Sequence, residues 1–395
     1  MRNVSPMLSE YGRDAKILIT ANALGQTFLW FSFFIMPFYL KVLGYDMRAM
    51  GAFFSVQTLV SGVFLLLAGH ISLHLGYRKT LLLSALIGLI GRLLQVLALN
   101  ATVLFLGFVL VGVNMGLRQP NYNAYLSELV PDERRHEAFS KSFGLGTLFN
   151  SLGVLLAGFL PGYLMGLSLA EETAYRITFS LSILQFVFVV PALLLVRDVE
   201  VREKRIKWER SLVLKILKFS LPSALIGLGA GITIPFMSLY FKLKFGETLQ
   251  AISWIFFFQQ LAMGLGSFGL PELVRRWGPV KVITSFQGMA TFLFAIFPSI
   301  ETFALAGAVY VLRAILMNII WPINSSFMMG FFKTEEKATA NGIQQAFSTF
   351  MRGVGNSIGG TLFAVSLAYP FYATAFLYAL ATGLFYAFFI KHNEE

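Results

Sequence analysis

The sequence predicts an all-α polytopic membrane protein whose twelve transmembrane helices form two six-helix bundles, a 6+6 parallel pseudo-repeat. Three observations predict it. Of the 395 residues, 56% are hydrophobic and only 13% charged, with a mean hydropathy of +0.71; a soluble domain carries about 25% charged residues. Apolar runs recur along the whole chain, each near the roughly 20 residues that cross a hydrocarbon core about 30 Å thick, without the short alternating segments of a membrane barrel. One plan is also used twice. Arg118 to Gly158 holds an apolar run with an embedded arginine, a short charged loop and a second apolar run with glycines, and Pro322 to Gly360 repeats that plan 202 residues later.

The elements follow in order. The polar start, Met1 to Lys16, leads into an apolar run too long for the core of a signal peptide and without an evident cleavage site, so it reads as the first membrane helix. That span, Ala15–Leu40, places Asn22, Gln26, Trp30, Phe33 and Pro37 on one face. The second, Arg48–His70, ends near His70 and His74, four residues apart. This is a metal-pair spacing, but no Asp, Glu or Cys accompanies it closely, so interfacial histidines are the plainer reading, a pH-sensitive latch the next, and no metal site is expected. The third, Thr80–Leu99, carries Arg92, read as structural packing or snorkelling. The fourth, Val103–Ser127, aligns Asn114, Arg118, Asn121 and Tyr125 on one face. After the charged loop Pro131 to Arg135 come the fifth and sixth spans, Ala138–Met165 and Tyr175–Val196.

A highly charged connection, Arg197–Ser211, divides an N-terminal bundle (1–196) from a C-terminal bundle (212–395). The seventh span, Leu212–Tyr240, contains Gly229, Gly231 and Pro235. It reads either as a flexible or broken helix serving alternating access, or as a close-packed one. Leu249–Leu273 and Val280–Phe297 are the eighth and ninth. The tenth, Thr302–Gly330, aligns Tyr310, Arg313, Met317, Trp321 and Asn324, and the eleventh, Lys337–Ser366, aligns Gln345, Ser348, Arg352 and Asn356. Phe371–Ile390 is the twelfth.

The offset of 202 also pairs Gly25 with Gly227, Gly44 with Gly246, Gln57 with Gln259, Gly62 with Gly264, Gly76 with Gly278 and Lys79 with Lys281. Within the opening stretch it pairs Pro120 with Pro322, Glu133 with Glu335, Ala138 with Ala340, Gly153 with Gly355 and Gly158 with Gly360. Parallel repeats of this kind hold their substrate at mid-membrane between the halves. The repeat breaks where arginines sit in spans: Arg118 lies opposite Ile320, Arg313 opposite Val111 and Arg352 opposite Asn150. Those breaks mark the expected substrate site.

Charge supports the same topology. With the N-terminus inside, cytoplasmic segments take twenty-two Lys and Arg, while external ones take only Lys41, Arg48, Arg176, Lys242 and Lys244. This bias places both termini in the cytoplasm and makes the protein an integral component of the cell membrane. The net charge of +11 is therefore a topology signal, and no nucleic-acid partner is expected. The chain has no cysteine, which excludes disulfides, thiolate metal sites and cysteine nucleophiles. None of the 20 Asp and Glu lies deep in a span, whereas Arg92, Arg118, Arg313 and Arg352 do. A membrane arginine costs about 2.5–3.5 kcal/mol on the insertion scale and faces a cavity or a partner. With no carboxylate at hand, the partners are polar side chains, carbonyls, water or an anionic ligand. Arg118 is read either as a substrate contact or as a structural arginine bonded to Asn22 or Gln26. For Arg313 and Arg352 the alternative is interhelical hydrogen bonding.

The connection Gly69-His70-Ile71-Ser72-Leu73-His74-Leu75-Gly76-Tyr77-Arg78-Lys79 resembles the Gly-x-x-x-Asp-Arg-x-Gly-Arg-Arg/Lys signature of the major facilitator superfamily. It departs from that signature at Leu73, His74 and Tyr77, and Arg275, Arg276, Gly278 and Lys281 return in the second half. The resemblance implies a cytoplasmic latch between the halves, formed here by Gly69, His74, Gly76, Arg78, Lys79 and Gly278. Arg118, Pro120, Asn123 and Ala124, followed by Pro131-Asp132-Glu133-Arg134-Arg135, resemble the fourth and fifth helices of the drug-efflux branch. The branch's Gly-Pro run has lost its proline at Val154. In the family, helices one, four, seven and ten line the cavity.

The expectation is a secondary active transporter working by alternating access on a small amphipathic or organic molecule, with efflux the first direction. Uptake or facilitated transport of an organic anion or metabolite is the alternative, and a non-transporting receptor or scaffold a remote one. The expected substrate residues are Arg118, Arg313, Arg352, Asn22, Gln26, Trp30, Asn114, Asn121, Tyr125, Met317, Trp321 and Asn324. Phosphate loops, Ser/His/Asp arrangements and paired carboxylates are absent from the sequence, so no enzymatic chemistry and no cofactor are expected. A monomer is expected, with protons the candidate coupling ion.

Overall fold

The computed structural model of the chain describes residues 11–199, 201, 210–265 and 270–392. Most of the expected linker, the first ten residues and the side chains of His136 and Glu335 lie outside the described residues. The membrane elements are α1 (Arg13–Val42), α2 (Met47–Leu75), α3 (Tyr77–Leu97), α4 (Ala101–Leu129), α5 (Arg135–Gly166) and α6 (Glu171–Leu195) in the first half. The second half holds α7 (Arg210–Phe245), α8 (Leu249–Leu265, with Leu270–Trp277 beyond the gap), α9 (Pro279–Ser299), α10 (Phe303–Gly330), α11 (Thr334–Val365) and α12 (Tyr369–Phe389). Among the described residues no strand occurs, and ten of these helices are long and apolar enough to cross a membrane. The other two are α8, described over only 17 residues of its first piece, and α11, whose 32 residues are long enough but carry a polar stripe.

Helix ends follow local chemistry. The Asp46 carboxylate accepts from the Ala49 N–H at 2.8 Å, and the Asn100 side chain from the Val103 N–H at 2.9 Å, each capping the helix that follows. Among the described residues, four glycines have positive φ, where a side chain is strained. Gly44 (86°) and Gly246 (70°) end the first helix of each half, and Gly76 (81°) and Gly278 (76°) turn the chain into the third. The members of each pair stand 202 residues apart, so the sequence repeat is also a repeat of backbone conformation.

Among the described residues three helices are interrupted, α6 by a 3₁₀ turn at Leu181–Ile183. α7 passes through a 3₁₀ turn at Ile234–Phe236, because Pro235 offers no N–H to the turn before it. Gly229 and Gly231 meet the Tyr378 ring and the Arg352 backbone instead, so the span is broken at Pro235 and close-packed at its glycines. α10 breaks between Ile319 and Trp321, just before Pro322, although one continuous span was expected; the mirrored Pro120 stays inside an unbroken α4.

Packing repeats as well. α1 lies against α5 and α6 as α7 lies against α11 and α12, while α4 packs on α2 and α3 as α10 packs on α8 and α9. Gly153 admits the Thr27 backbone of α1, and its mirror Gly355 admits α7 at Leu228, with Gly231 Cα 3.1 Å from where a Cβ would stand. The halves meet through α2–α11 and α5–α8. The first seam runs from Gly51 against Gly360 to Gly62 against Phe350, and the second passes Gly158 against Ser253. Close glycine contacts of this type let membrane helices approach without help from water.

The core decides which end is shut. At the end opposite the termini one cluster draws on both halves: Phe34, Tyr39, Phe53 and Phe108 with Phe236, Tyr240, Phe256, Tyr310 and Phe371. Phe34–Phe256 (5.6 Å between ring centroids, edge-on) and Phe54–Phe236 (5.7 Å, tilted) bridge the halves directly, each pair worth about 1 kcal/mol beyond its buried area. At the end carrying the termini there are two separate clusters. One holds Tyr11, Leu18, Tyr122, Tyr125 and Leu193 of the first half, the other Leu212, Phe219, Met328, Phe332 and Phe389 of the second. The halves are joined at one end and part toward the other.

Candidate substrate site

The space between the halves is lined by helix faces that have no other neighbour. On α11, one side meets α2 through Gly353, Asn356 and Gly360, and another meets α7 through Ser348 and Gly355. Between them, facing inward, runs the stripe Asn341, Gln345 and Arg352, flanked by Ser348 on the α7 side and Asn356 on the α2 side. The opposite stripe, Phe347, Val354, Ile358 and Val365, is apolar and turns to lipid. The Arg352 side chain is exposed on the inward stripe and has no hydrogen-bond or ion-pair partner among the described residues, although Tyr378 and Arg313 lie near enough to interact electrostatically. One turn on, Asn356 is 2% exposed and donates to the Phe54 carbonyl and the Thr58 hydroxyl, both at 2.9 Å, tying α11 to α2 across the halves.

The first half contributes Gln26, Trp30 and Phe33 from α1, the face left free when Thr27 turns to α5 and Gly25 to α6. Trp30 packs against Phe33 at 4.8 Å, and Phe33 remains 44% exposed even though the neighbouring Phe34 is buried, so this face opens on space. Gln57 of α2 reaches the Met115 sulfur of α4 at 3.2 Å. In the second half Met317 packs under the shared aromatic cluster, and Trp321 stands exposed just past the break in α10. Asn324, one turn further, has its side-chain oxygen buried without a partner.

Several expected substrate residues point elsewhere. Arg313 is 5% exposed and sits inside the second half, bonded to the Tyr378 hydroxyl at 2.8 Å with its guanidinium 4.1 Å over the Phe294 ring. Phe294 occupies the position that mirrors Arg92, itself buried over Phe179 (5.6 Å) and bonded to Gln95 at 2.8 Å. Each half thus buries one guanidinium among aromatic rings, delivered from different helices. Asn114 donates to the Ser84 carbonyl of α3 at 2.7 Å, Asn121 to the Leu117 carbonyl of its own helix at 2.8 Å, and Tyr125 to the Arg197 carbonyl at the terminal end. A shared helix face was a sound inference; which neighbour that face meets is a tertiary fact. Arg118 and Asn22 do come together, at 3.5 Å, but within the first half. With Tyr122, Leu81, Val189 and Leu193 they line a cavity of about 20 Å³, room for one water. Tyr122, which the sequence reading passed over, is held there by Ser142 at 2.7 Å.

The residues of the expected latch also act within their own half. Arg78 donates to the Leu194 carbonyl at the end of α6 (3.0 Å), and Gly76 lies beside the Asp198 carboxylate. His74 is exposed and edge-on to His70 at 4.7 Å, Gly69 faces open space, and Lys79 is exposed. Gly278 turns the chain into α9 as Gly76 does into α3. Nearby, Glu137 and Lys141 form an ion pair one helical turn apart.

Two helical halves, joined at one end and enclosing a polar, aromatic-lined space between them, define a membrane carrier. The chain belongs to the Major Facilitator Superfamily, whose model matches residues 18–223 and 219–395. It is 29% identical over 129 residues to the galactose-proton symporter of Escherichia coli (strain K12), covering 32% of this chain and 24% of that protein. It is 27% identical over 141 residues to the glucose transporter GlcP of Staphylococcus epidermidis, covering 36% and 28%. The matched stretch is about a quarter of either relative's length. The fold is similar to that of the nucleoside transporter NupG (TM-score 0.73, 16% identity, covering 96% of this chain and 99% of that one). It is also similar to the POT family transporter PepTSo (TM-score 0.76, 12% identity, covering 98% and 99%). These sequence relatives are sugar carriers rather than drug-efflux proteins, and the chain is a transporter of the superfamily type.

Proposed function

We propose that the protein is a secondary carrier that takes up a small, polar organic solute by alternating access. The observation that supports this reading is the space between the halves, shut at one end by the shared aromatic cluster and open toward the termini. Gln26, Gln57 and Gln345 offer side chains that both donate and accept hydrogen bonds, Trp30 and Trp321 offer flat apolar faces, and Arg352 offers a charge. With both termini cytoplasmic, as the charge bias favours, the described state opens to the cytoplasm. Uptake is preferred over efflux because the sequence relatives are named as a sugar symporter and a sugar transporter.

The cysteine-free chain makes the test direct. Cysteine introduced at Gln345 reacts with an impermeant maleimide added to the cytoplasmic face. Cysteine introduced at Phe34, within the shut cluster, reacts from the outside only in the fraction of molecules that has switched. An alternating carrier shows both reactions, and locking the seam with a Gly51→Cys/Gly360→Cys disulfide suppresses the second. Labelling of Gln345→Cys from one side only, with no Phe34→Cys reaction under any condition, would contradict alternating access.

A further inference from the structure

We infer that the transported solute is a polyhydroxylated monocarboxylate, a sugar acid rather than a neutral sugar, and that its charge is the counter-charge of Arg352. The inference rests on the carrier reading above and adds the chemistry of its site. Of the four arginines in spans, three are provided for by the protein: Arg92 by Gln95 and Phe179, Arg313 by Tyr378 and Phe294, and Arg118 by Asn22 beside a water-sized cavity. Arg352 alone stands exposed on the face between the halves without a hydrogen-bond or ion-pair partner among the described residues. No Asp or Glu lies deep in any span of the whole chain. A guanidinium held at mid-membrane without a protein anion is completed by an anion from outside, and its planar fork matches a carboxylate through two parallel hydrogen bonds. Arg313 is near enough to act on it electrostatically but is buried in its own half against Tyr378 and Phe294; the other polar side chains named along the space are uncharged. Ser348 and Gln345 stand one and two turns before it on α11, and Gln26 and Gln57 are the amides on the helices of the first half. Such groups bind hydroxyls, while Trp30 and Phe33 supply the flat surface that a ring's C–H face covers. The site is therefore one charge set among amides and hydroxyls, a pattern that suits one carboxylate on a hydroxyl-rich frame.

An electrical consequence follows. Occupied by a monoanion, the site is neutral; empty, it carries one positive charge. The return of the empty carrier is then the step that moves charge through the membrane field. Net uptake depends on membrane potential, whereas exchange of solute for solute does not.

The test uses the full-length protein in proteoliposomes with D-glucuronate and D-glucose as probes, alike except for the carboxylate. Saturable binding of radiolabelled glucuronate is expected, with glucose weaker by at least about tenfold, the scale of a lost charge-assisted pair. Arg352→Gln is expected to erase that preference, and Arg352→Lys to restore part of it. With potential set by potassium and valinomycin, net glucuronate uptake should change by up to about tenfold per 60 mV, and glucuronate–glucuronate exchange should stay flat. Glucose binding as tight as glucuronate, binding of neither, or a preference that survives Arg352→Gln would overturn the inference. Thiol labelling that still alternates in the same preparation shows that the carrier reading stands when the sugar-acid assignment fails.

Discussion

At the residue scale, four arginines of similar sequence setting have three different fates. Arg352 faces the space between the halves, Arg118 a chamber inside one half, and Arg313 and Arg92 are buried over aromatic rings. Substitution separates them. Arg313→Gln loses a charge-assisted hydrogen bond and a ring contact in a site that is 5% exposed, so it is expected to cost roughly 2 kcal/mol of stability. A thermal melt in detergent will show the loss, while the affinity for a bound solute stays within about twofold. Tyr378→Phe should lower the melting temperature less, because the ring stays beneath the guanidinium. Arg352→Gln is expected to do the reverse, leaving the melt unchanged and weakening binding.

At the scale of elements, α2–α11 is the seam that the proposed alternating access has to open. Asn356 is its polar clasp, and Gly51 and Gly360 are its closest approach, the Gly360 Cα lying 2.9 Å from where a Cβ on Gly51 would stand. Asn356→Ala removes about 1 kcal/mol from the described state, roughly a fivefold shift toward its competitor. Cysteine at Phe34 should then react correspondingly faster from the outside. Gly51→Val overpacks the same seam at the shut end by about 1–3 kcal/mol and is expected to open that end further. If outside reactivity at Phe34→Cys stayed unchanged in both variants, the seam would not control access.

For the whole molecule, the imbalance between arginines and carboxylates sets the energetics. Carriers that run on protons need a group that titrates within the membrane, and these spans hold no Asp or Glu deep in their length. A pH gradient imposed at clamped potential is therefore expected to leave accumulation of a fully ionised solute unchanged, measured as the plateau of labelled solute in proteoliposomes. Accumulation that follows the gradient and is lost on changing one acidic residue would show a coupling site in the loops instead.

The number of spans, the repeat at 202 residues, the polar stripe of α11 and the inward face of α1 could be read from the sequence, because hydropathy and the helical period are local properties of the chain. The break in α7 could be read as well, since proline lacks an amide proton wherever it stands. What each face meets could not. Asn114 and Arg352 look alike on helical wheels, yet one is consumed by the Ser84 carbonyl of α3 and the other is left facing open space. Arg313 became structural because Phe294 and Tyr378 of two other helices close around it. A helix presents its side chains by its own period, but their partners come from residues far away in the chain. The sequence by itself determined a two-fold helical membrane protein with uncompensated arginines; only the packing of twelve helices decided which arginine faces the space between the halves and which end of that space is shut.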